Sequence, residues 1–382
     1  MEGQPGAAVI GTGFIGPVHV EALRRLGIPV VGLLGSRPER GQQAAERLGV
    51  PRAYASLDDL LADQAVAVVH ITSPNDLHFE QARRSLEAGK HVICEKPLAI
   101  TSAQTAELVS VAARSGRVAA VNYNVRYYPL AVEARERVRR GDLGEVLHVS
   151  GAYVQDWLLL ESDFNWRVLA AQAGETRAIG DIGTHWLDLL QFIVGQPVQE
   201  VCADLATFLP VRQRPSGPVE TFSGPLPAGS HSEPVAITTE DYGSVLLRFR
   251  GGARGCLTVS QMTAGRKNCL RYEIAGRSAA LAWNSERAEE LWIGHRNQAN
   301  EVLSRDPALL TEAARRGTWY PGGHAEGFPD TFKALYAAVY ADIRAGGPSA
   351  TPSYPTFADG HQEALLCEAI ARSSRTGSWV SL

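Results

Sequence analysis

The stretch Ala7-Ala-Val-Ile-Gly-Thr-Gly-Phe-Ile-Gly16 joins a short apolar run to a turn that contains three glycines. Apolar side chains then recur at helical spacing over residues 18–26, and the pattern stops at Gly27. This order predicts a strand, a tight turn and a helix. In a G-x-G-x-x-G turn one glycine permits the bend, one admits a pyrophosphate, and one lets the helix pack closely on the strand. We therefore predict a dinucleotide site here. A glycine turn without a ligand is the alternative.

Strand and helix patterns continue to alternate as far as residue 121. Apolar runs at residues 29–34, 65–71, 91–94 and 118–121 predict further strands, with helical patterns between them. Because the run at 65–71 is almost unbroken, we expect strands that are covered on both faces. The sequence therefore predicts the α/β class, with a doubly wound parallel sheet of about six strands. We interpret His19, in the first helix, as structural rather than catalytic.

The tip of the second predicted strand bears on the choice between NAD and NADP. A carboxylate at this position usually binds the ribose 2′-hydroxyl, but the sequence here is Leu34-Gly35-Ser36-Arg37-Pro38. Ser36 and Arg37 suit a 2′-phosphate, because a guanidinium matches phosphate geometry. We therefore favour NADP over NAD. In the alternative, Arg37 stacks on the adenine or faces water.

Two polar turns follow later strands of the predicted sheet. Cys94-Glu95-Lys96-Pro97 comes after the run at residues 91–94, and Thr72-Ser73-Pro74-Asn75 comes after the preceding strand. In open α/β sheets, ligands bind at the carboxyl ends of the strands. We therefore expect both turns to lie beside the glycine turn at one edge of the sheet. We interpret Cys94 as a buried thiol.

The pattern changes from Glu145 onwards. Strand-like runs follow one another with turns between them, which predicts a second domain of the α+β class with a large, mainly antiparallel open sheet. We expect a dinucleotide-binding Rossmann domain at residues 1–124 and a substrate-binding and oligomerisation domain at residues 125–382. Residues 210–235 are rich in Pro, Gly and Ser. We predict a long loop there, either mobile or part of an oligomer contact.

One predicted helix, at residues 181–194, interrupts the strands. Its Asp181 and His185 are four residues apart and therefore lie on one face. A carboxylate and an imidazole so placed can share a hydrogen bond or both face a cleft. A buried structural histidine is the alternative. We predict no metal site, because no third ligand has suitable spacing.

Aromatic and polar side chains are concentrated before that helix. They lie in Tyr153-Val-Gln155-Asp156-Trp157 and in Phe164-Asn165-Trp166-Arg167. Aromatic faces suit the C–H faces of a sugar, and amides suit its hydroxyls. An ordinary aromatic core is an equal alternative for each of these residues except Arg167.

In combination, these motifs resemble the Gfo/Idh/MocA oxidoreductases, the family of glucose–fructose oxidoreductase and inositol dehydrogenase. The glycine turn and the Ser73-Pro74-Asn75 and Glu95-Lys96-Pro97 turns carry the resemblance. Asp-x-x-x-His at residues 181–185 is similar to the family's catalytic pattern. Tyr-x-Gln-Asp-Trp at residues 153–157, with the later Trp-Arg pair, is similar to the levoglucosan-dehydrogenase-like branch. The resemblance implies an NAD(P)-dependent sugar or polyol dehydrogenase, a lysine that touches substrate and nicotinamide, and a Lys-Pro bond that is often cis.

The motifs and the resemblance together imply a set of site residues. For catalysis we expect His185 as the base, Lys96 as the donor to the reacting hydroxyl, and Asp181 as the group that binds a neighbouring hydroxyl or orients His185. Lys96 and His185 could exchange roles. The expected cofactor-binding residues are Gly11, Gly13, Phe14, Ile15, Gly16, Ser36, Arg37, Ser73, Pro74, Asn75, His78, Glu95, Lys96, Asn124 and Arg167. The expected substrate-binding residues are Lys96, Tyr153, Gln155, Trp157, Asn165, Asp181 and His185.

Composition limits the partners. The chain has 382 residues and a formal net charge of −4, without a dense Lys/Arg block, so we expect no nucleic acid partner. The apolar runs are too short to cross a membrane, and the N-terminus lacks a signal-peptide pattern. The 5 cysteines are widely spaced and form no C-x-x-C pair, which favours a reducing cytoplasm. We expect a carbohydrate or polyol substrate and a homodimer or homotetramer assembled through the antiparallel sheet.

Two other functions stay open on this scaffold. Some members of the family resemble glycosidases that use bound NAD for transient oxidation and produce no net NADH. Others resemble non-catalytic regulators that bind a dinucleotide. Such regulators can dispense with the catalytic lysine and histidine, whereas both are present here as Lys96 and His185.

Overall fold

The computed structural model describes residues 4–217 and 231–382, and the chain divides into two compact units. The first unit contains Met1–Asn124, Ala171–Gly174 and Phe332–Ala364. The second contains Val125–Ala170, Glu175–Thr331 and Leu365–Leu382. Both units therefore include segments from late in the chain. The predicted division into functional domains at residues 124 and 125 stays a prediction.

Strands and helices alternate in the first part of the chain, and strands dominate afterwards. Up to residue 140 the elements are β1 (Ala7–Ile10), α1 (Ile15–Arg25), β2 (Val30–Leu34), α2 (Pro38–Leu48), β3 (Ala53–Tyr54), α3 (Leu57–Ala62), β4 (Val68–Ile71), α4 (Asn75–Glu87), β5 (His91–Cys94), α5 (Ser102–Ser115), β6 (Ala119–Val121) and α6 (Pro129–Arg140). The later elements are β7 (Val146–Val154), α7 (Ala170–Ala173), α8 (Thr184–Val194), β8 (Val198–Ala206), β9 (Val211–Pro215), β10 (Ser232–Ala236), β11 (Tyr242–Phe249), β12 (Arg254–Ser260), β13 (Cys269–Gly276), β14 (Ala280–Asn284), β15 (Glu290–Gly294), β16 (Glu301–Ser304), α9 (Glu312–Arg315), α10 (Phe328–Arg344), α11 (Phe357–Thr376) and β17 (Val380–Ser381). Short 3₁₀ turns lie at Asn124–Tyr127, Trp166–Val168 and Ser285–Arg287. In the described part of the chain, no helix has both the length and the apolarity to span a bilayer.

The first unit is built on a 6-stranded sheet with the order β3-β2-β1-β4-β5-β6. Each neighbouring pair of strands is parallel. β1, β4 and β5 are buried along their whole length, as expected for strands covered by helices on both faces. The predicted doubly wound Rossmann sheet is confirmed. The strand order reverses between β1 and β4, which is where this fold binds its ligands.

The first unit also includes part of the C-terminal third of the chain. The part of α10 from Phe332 onwards contributes Tyr336 and Tyr340, and both side chains are fully buried. The following segment pairs with the edge of the sheet, because the Val121 N–H donates to the Pro355 carbonyl at 3.0 Å. The tyrosines pack against the sheet, where the ring centroid of Tyr336 lies 4.9 Å from that of His70 in β4. The sheet is therefore completed by residues more than two hundred positions later in the sequence.

The second unit is built on a 9-stranded sheet with the order β16-β15-β14-β13-β7-β12-β11-β8-β17. β7 and β12 run parallel, and the other neighbouring pairs are antiparallel. The predicted mainly antiparallel sheet is therefore confirmed, although β7 is inserted between β12 and β13. Helix α8 packs on one face through Trp186, which is fully buried. Its indole N–H donates to the Arg271 carbonyl of β13 at 3.0 Å.

The loop predicted at residues 210–235 is wrong at both ends. β9 and β10 pair antiparallel as a separate 2-stranded sheet, while residues 218–230 lie outside the described residues. Arg212 of β9 is fully buried, and Ile237 belongs to a small apolar core that includes Leu158. Leu158 lies in residues 153–167, which we call the aromatic segment. Prolines and glycines predict loops, and their frequency in this stretch concealed the two short strands.

Candidate active site

The glycine turn between β1 and α1 has the shape that a pyrophosphate requires. Gly11 has a φ of +101°, and a Cβ added there would collide with the main chain of Thr72. A Cβ at Gly16 would collide with the Gly11 carbonyl oxygen, whereas no described atom lies within 4 Å of a Cβ placed at Gly13. The hydroxyl of Thr72, which follows β4, donates to the carbonyl of Ile10, the last residue of β1, at 2.7 Å. The turn therefore combines a sharp bend at Gly11, a close main-chain contact at Gly16 and open space at Gly13. This combination fits a dinucleotide.

A buried histidine joins the two polar turns at the edge of the parallel sheet. His78 is fully buried, and its ring nitrogens lie 2.8 Å from the Ser73 carbonyl oxygen and 2.8 Å from that of Pro97. Burial lowers the pKa of His78, although the two carbonyls oppose the shift. Asn75 secures the first turn by donating to the Ala173 carbonyl at 3.0 Å. His78 therefore connects the Ser73-Pro74-Asn75 turn to the Glu95-Lys96-Pro97 turn.

The turn after β5 is organised by the carboxylate of Glu95. This carboxylate accepts the Lys96 main-chain N–H at 3.2 Å and the Asn122 amide N–H at 2.5 Å. The Lys96–Pro97 peptide bond is cis, and the Lys96 side chain is partly exposed. Cys94 is buried, and burial raises the pKa of its thiol well above its usual range, as expected for a structural cysteine. Glu95 therefore fixes the main chain from which the proposed catalytic lysine projects.

Asp181 and His185 lie on one continuous helical segment, but it does not begin as an α-helix. Residues Ile179–Gly183 form a π-helical turn, and α8 continues from Thr184. The prediction of a regular helix from Asp181 is therefore wrong for the first turn. Single π-helical turns are frequent at functional sites. Asp181 thus belongs to the wider turn and His185 to the regular helix.

The carboxylate of Asp181 is held by two side chains of the second unit. Gln261, which follows β12, donates to Asp181 Oδ2 at 3.0 Å. The guanidinium of Arg167 lies 3.4 Å from Asp181 Oδ1. Gln261 is fully buried. The ring of His185 lies beside that of Tyr153, with the centroids 6.2 Å apart.

The aromatic segment carries a chain of side-chain hydrogen bonds. The Tyr153 hydroxyl donates to Asn268 Oδ1 at 2.7 Å, and the Gln155 amide donates to the same oxygen at 2.8 Å. The Trp157 indole N–H donates to Gln155 Oε1 at 2.9 Å. Burial raises the pKa of Tyr153, so its hydroxyl stays protonated and serves as a donor. The network presents amide groups and aromatic faces together, which suits a polyhydroxylated ligand.

Arg167 connects this network to Asp181. Its main-chain N–H and its guanidinium both lie 3.2 Å from Asn165 Oδ1. The guanidinium also lies over the Trp166 ring, 4.5 Å from the centroid, and 5.9 Å from that of Trp157. Cation–π contacts of this kind restrict the orientation of an arginine side chain. Arg167, predicted with the cofactor residues, therefore lies among the predicted substrate residues of the second unit.

A buried arginine anchors the aromatic segment. Arg212 of β9 donates to the carbonyls of Leu158, Leu160 and Asp163 at 2.8, 2.9 and 3.0 Å. It also donates to Asp241 at 2.8 Å, and Asp241 pairs with Arg177 as well. Because buried arginines require such partners, Arg212 of β9 fixes the conformation of residues 158–163.

Two family profiles match the chain. Residues 6–123 match the profile described as "Oxidoreductase family, NAD-binding Rossmann fold", and residues 131–282 match the "GFO/IDH/MocA C-terminal domain". The chain belongs to the Gfo/Idh/MocA family. The resemblance that the motifs predicted is therefore confirmed, and with it an NAD-binding oxidoreductase.

Several relatives of this Gfo/Idh/MocA protein are similar over almost its whole length. Levoglucosan dehydrogenase from Pseudarthrobacter phenanthrenivorans is 31% identical over 388 residues, which cover 98% of this chain and 97% of the relative. A solved structure of levoglucosan dehydrogenase in complex with NADH and L-sorbose has a TM-score of 0.87 and 29% identity, and 98% of each chain is covered. An inositol dehydrogenase homologue from Azotobacter vinelandii, solved with NADH and myo-inositol, has a TM-score of 0.84 and 26% identity, covering 100% of this chain and 98% of the other.

The site residues predicted from the sequence of this Gfo/Idh/MocA protein fall in both units. Lys96 belongs to the first, with the predicted cofactor residues other than Arg167; Asp181 and His185 belong to the second. Ser36 and Arg37 are exposed after β2, and Asn124 begins a 3₁₀ turn. Among the described residues, no group of three His, Cys, Asp or Glu side chains is arranged to bind a metal ion.

Sequence reasoning missed two residues of the second unit. Gln261 contacts Asp181, and Asn268 joins the hydroxyl of Tyr153 to the amide of Gln155. Neither belongs to a motif with characteristic spacing. The only available signal was their position at the ends of predicted strands, where side chains leave the sheet and can reach a neighbouring element.

Glu240 makes the stability of this region depend on pH. Its carboxylate accepts the main-chain N–H groups of Arg177 and Ile179, at the start of the segment that carries Asp181. Burial raises the pKa of Glu240 from 4.5 to about 7. A carboxyl with a raised pKa in the folded protein stabilises it fully below the unfolded value, and this contribution is lost as the pH rises through the folded value.

We expect the wild type to lose stability relative to Glu240→Gln between pH 5 and pH 8. The shift of the pKa corresponds to roughly 3 kcal/mol across this interval. Thermal denaturation of both proteins at several pH values measures the difference in Tm. A difference that stays constant with pH would contradict the raised pKa of Glu240.

Proposed function

We propose that the protein is an NAD(P)-dependent dehydrogenase that transfers a hydride between a hydroxyl-bearing carbon of a sugar or polyol and a nicotinamide. The observation that carries this proposal is the surroundings of Asp181. Its carboxylate is oriented by Arg167 and Gln261, and His185 lies four residues further along the same helical segment. A carboxylate, an imidazole and the nearby amides offer the contacts that several adjacent hydroxyls require. The sugar and inositol ligands of the relatives support the same substrate class.

In the proposed oxidation, the hydride and the proton of the reacting alcohol go to different acceptors. A bound nicotinamide supplies the hydride acceptor or donor. His185 accepts the proton of the reacting hydroxyl, because an imidazole titrates near neutral pH and serves well as a general base. The ammonium of Lys96 donates a hydrogen bond to the same oxygen and stabilises the negative charge that develops there. Asp181 binds a neighbouring hydroxyl or orients His185. In the alternative assignment Lys96 accepts the proton and His185 donates the hydrogen bond.

The remaining predicted residues supply binding. In this proposal the glycine turn receives the pyrophosphate, and the two polar turns border the rest of the dinucleotide. Substrate hydroxyls meet the amides of Gln155 and Asn165 and the aromatic groups of Tyr153 and Trp157. We propose that the other cofactor-binding and substrate-binding residues predicted from the sequence complete these contacts.

The function is tested by following absorbance at 340 nm. NAD and NADP are each offered with inositols, aldoses, L-sorbose and anhydrosugars that include levoglucosan. Net reduction of the cofactor by a sugar or polyol is the expected result. No net change with any substrate, together with tight dinucleotide binding, would overturn the dehydrogenase. It would favour a redox-neutral glycosidase, which cleaves a glycoside in the same sample, or a non-catalytic regulator, which does not.

The cofactor preference is proposed to favour NADP. Ser36 and Arg37 are exposed immediately after β2, and no carboxylate stands at the strand tip to receive a 2′-hydroxyl. A guanidinium and a hydroxyl suit a 2′-phosphate instead. The relatives solved with NADH make NAD the necessary comparison in each assay.

Arg37→Ala is expected to weaken the binding of NADP and to leave the binding of NAD unchanged. Loss of a charge-assisted hydrogen bond costs about 1.5–3 kcal/mol, which raises the KM for NADP roughly tenfold to a hundredfold. Arg47→Ala provides a matched control, because Arg47 is exposed near the other end of α2. Equal changes for NAD and NADP in Arg37→Ala would contradict the proposed contact with the 2′-phosphate.

Assembly is proposed to use the outer face of the 9-stranded sheet. Leu246 lies between Cys202 and Cys256 on neighbouring strands and is 51% exposed, whereas Val245 and Leu247 beside it are buried. This alternation gives the sheet an apolar position on the face opposite its core. A homodimer or homotetramer through this face is expected by light scattering, and a monomer at micromolar concentration would refute it.

A cytoplasmic location, proposed from the cysteine pattern, is tested by cell fractionation.

A further inference from the structure

Four buried side chains of the first unit form a continuous line of hydrogen-bonding groups. The Tyr340 hydroxyl lies 3.0 Å from His70 Nε2, and His70 Nδ1 lies 3.1 Å from His19 Nδ1. His19 Nε2 then lies 3.1 Å from Glu95 Oε1. The two histidines and the tyrosine are fully buried, and Glu95 is 8% exposed. The line therefore runs from helix α10, through β4 and α1, to the turn that carries Lys96.

The carboxylate at one end sets the direction of every hydrogen bond when both imidazoles are neutral. An ionised carboxylate only accepts, so His19 must donate from Nε2 and accept at Nδ1. His70 must then donate from Nδ1 and accept at Nε2, and the Tyr340 hydroxyl must donate to it. We call Tyr340, His70 and His19, in this arrangement, the donor chain. Hydrogen bonds arranged in series polarise one another, which strengthens the last bond to the carboxylate.

The donor chain ends on the group that shapes the proposed catalytic turn. Besides His19, the Glu95 carboxylate accepts the Asn122 amide at 2.5 Å and the Lys96 main-chain N–H at 3.2 Å. Hydrogen bonds to a carboxylate favour its charged form. Loss of one donor leaves a buried acceptor less satisfied, which favours a new rotamer or a proton on Glu95. Either change alters the main-chain contact and the charge next to Lys96.

We propose that the donor chain consists of positioning residues that prepare Lys96 for turnover by fixing the Glu95 carboxylate. This inference rests on the proposed dehydrogenase function for its kinetic consequence. The structural part concerns the first unit alone. None of the three residues touches the reacting atoms in this proposal, so each acts through Glu95.

Titratable groups around the donor chain bear on how a pH–rate profile is interpreted. Among the described residues, the titratable or charged groups that face the donor chain and Glu95 include Cys94 on β5, His78 on α4, Tyr336 and Arg344 on α10, and Lys96 in the turn. Burial lowers the pKa of His70 and raises the pKa values of Tyr336 and Tyr340. These three groups therefore stay uncharged near neutral pH. A change in the pH–rate profile on altering the donor chain would therefore not come from ionisation of His70, Tyr336 or Tyr340.

The fold supplies a matched pair of substitutions for the test. Tyr340→Phe removes the hydroxyl at the start of the donor chain and keeps the ring. Tyr336→Phe removes an equally buried hydroxyl from the same helix, and that hydroxyl has no hydrogen-bond partner among the described residues. The Tyr336 ring packs 5.2 Å from that of His19 and 4.9 Å from that of His70. The two variants therefore make the same chemical change in the same core, and only one breaks the donor chain.

We expect Tyr340→Phe to lower kcat about fivefold to tenfold, the effect of one lost hydrogen bond, and to displace a limb of the pH–rate profile. Tyr336→Phe should keep kcat within about twofold and leave the profile in place. Thermal denaturation confirms that both full-length variants are folded. If the two variants have the same kcat and the same profile, the kinetic role of the donor chain is refuted, while the dehydrogenase function stands.

A second measurement does not depend on turnover. Nitrogen-15 NMR of the cofactor-free protein, labelled at histidine, distinguishes ring nitrogens that carry a proton from those that accept a hydrogen bond. We expect neutral His19 to carry its hydrogen on Nε2 and to accept a hydrogen bond at Nδ1. We also expect Tyr340→Phe, but not Tyr336→Phe, to shift the ring signals of both His70 and His19. Unchanged signals in Tyr340→Phe would overturn the donor chain. If no sugar or polyol is oxidised, the dehydrogenase function is refuted. The NMR result still decides whether the donor chain exists.

Discussion

The Lys96→Ala variant is expected to lose roughly three orders of magnitude in kcat, while its affinity for the dinucleotide changes little. Acid–base groups and charge-stabilising donors each contribute about two to four orders of magnitude to enzyme turnover. In either proposed assignment, Lys96 is one of the two groups that contact the reacting oxygen. Alanine removes the ammonium and supplies no substitute. Turnover at 340 nm and dinucleotide binding by fluorescence titration measure the two effects separately.

The turn itself should survive this substitution. Glu95 contacts the main-chain N–H of Lys96 rather than its side chain in the bond described above, and alanine keeps that N–H. The glycine turn is fixed by Gly11, Gly16 and Thr72, none of which changes. Weak dinucleotide binding by Lys96→Ala would therefore mean that the lysine serves mainly the cofactor. Turnover like that of the wild type would refute its proposed catalytic role.

Lys96→Arg separates the two assignments. Arginine keeps a positive charge but does not release a proton near neutral pH. If Lys96 only stabilises charge, we expect the arginine variant to retain more activity than the alanine variant. If Lys96 is the base, both variants should be equally inactive. The comparison is made at saturating substrate, so that a change in binding does not obscure a change in kcat.

The parallel sheet could be predicted from the sequence because its signals are local. β1 and β5 begin and end at the predicted residues, and both are fully buried runs bounded by a turn. Gly11 and Gly16 make close contacts that leave no space for a side chain, so the glycine pattern reports a physical requirement. The mainly antiparallel sheet was predictable for a similar reason, since short apolar runs with frequent turns favour neighbouring strands.

The features that could not be predicted depend on distant contacts. The buried guanidinium of Arg212 is stabilised by carbonyls more than forty residues earlier and by Asp241. The burial of Tyr340 beside His70 joins residues 270 positions apart. The π-helical turn at Ile179–Gly183 is compatible with the same apolar spacing as an α-helix. In each case the local sequence is compatible with more than one structure, and the tertiary contacts decide which of them forms.

His185→Asn is expected to lower kcat by roughly two to three orders of magnitude and to remove the acidic limb of the pH–rate profile. A general base acts when it is unprotonated, so turnover with the wild type should rise with pH through the titration of His185. Asparagine keeps a polar amide of similar size but accepts no proton. The helix should persist, because α8 is held by the buried Trp186 and its bond to Arg271. His324→Asn is the matched control, since His324 is exposed in a turn of the same unit.

The outcome of this substitution decides between the two assignments when it is read with that of Lys96→Arg. Loss of the acidic limb in His185→Asn, together with partial activity in Lys96→Arg, assigns the proton to His185 and the hydrogen bond to Lys96. A lower kcat with an unchanged profile in His185→Asn, together with no activity in Lys96→Arg, assigns the proton to Lys96. A kcat and a profile like those of the wild type in His185→Asn would refute both assignments, because each requires His185 at the reacting oxygen. Asp181 would then be the next acid–base candidate of the helical segment, because the other carboxylate there, Asp188, is paired with Arg126, and Asp181→Asn would be the next variant to measure.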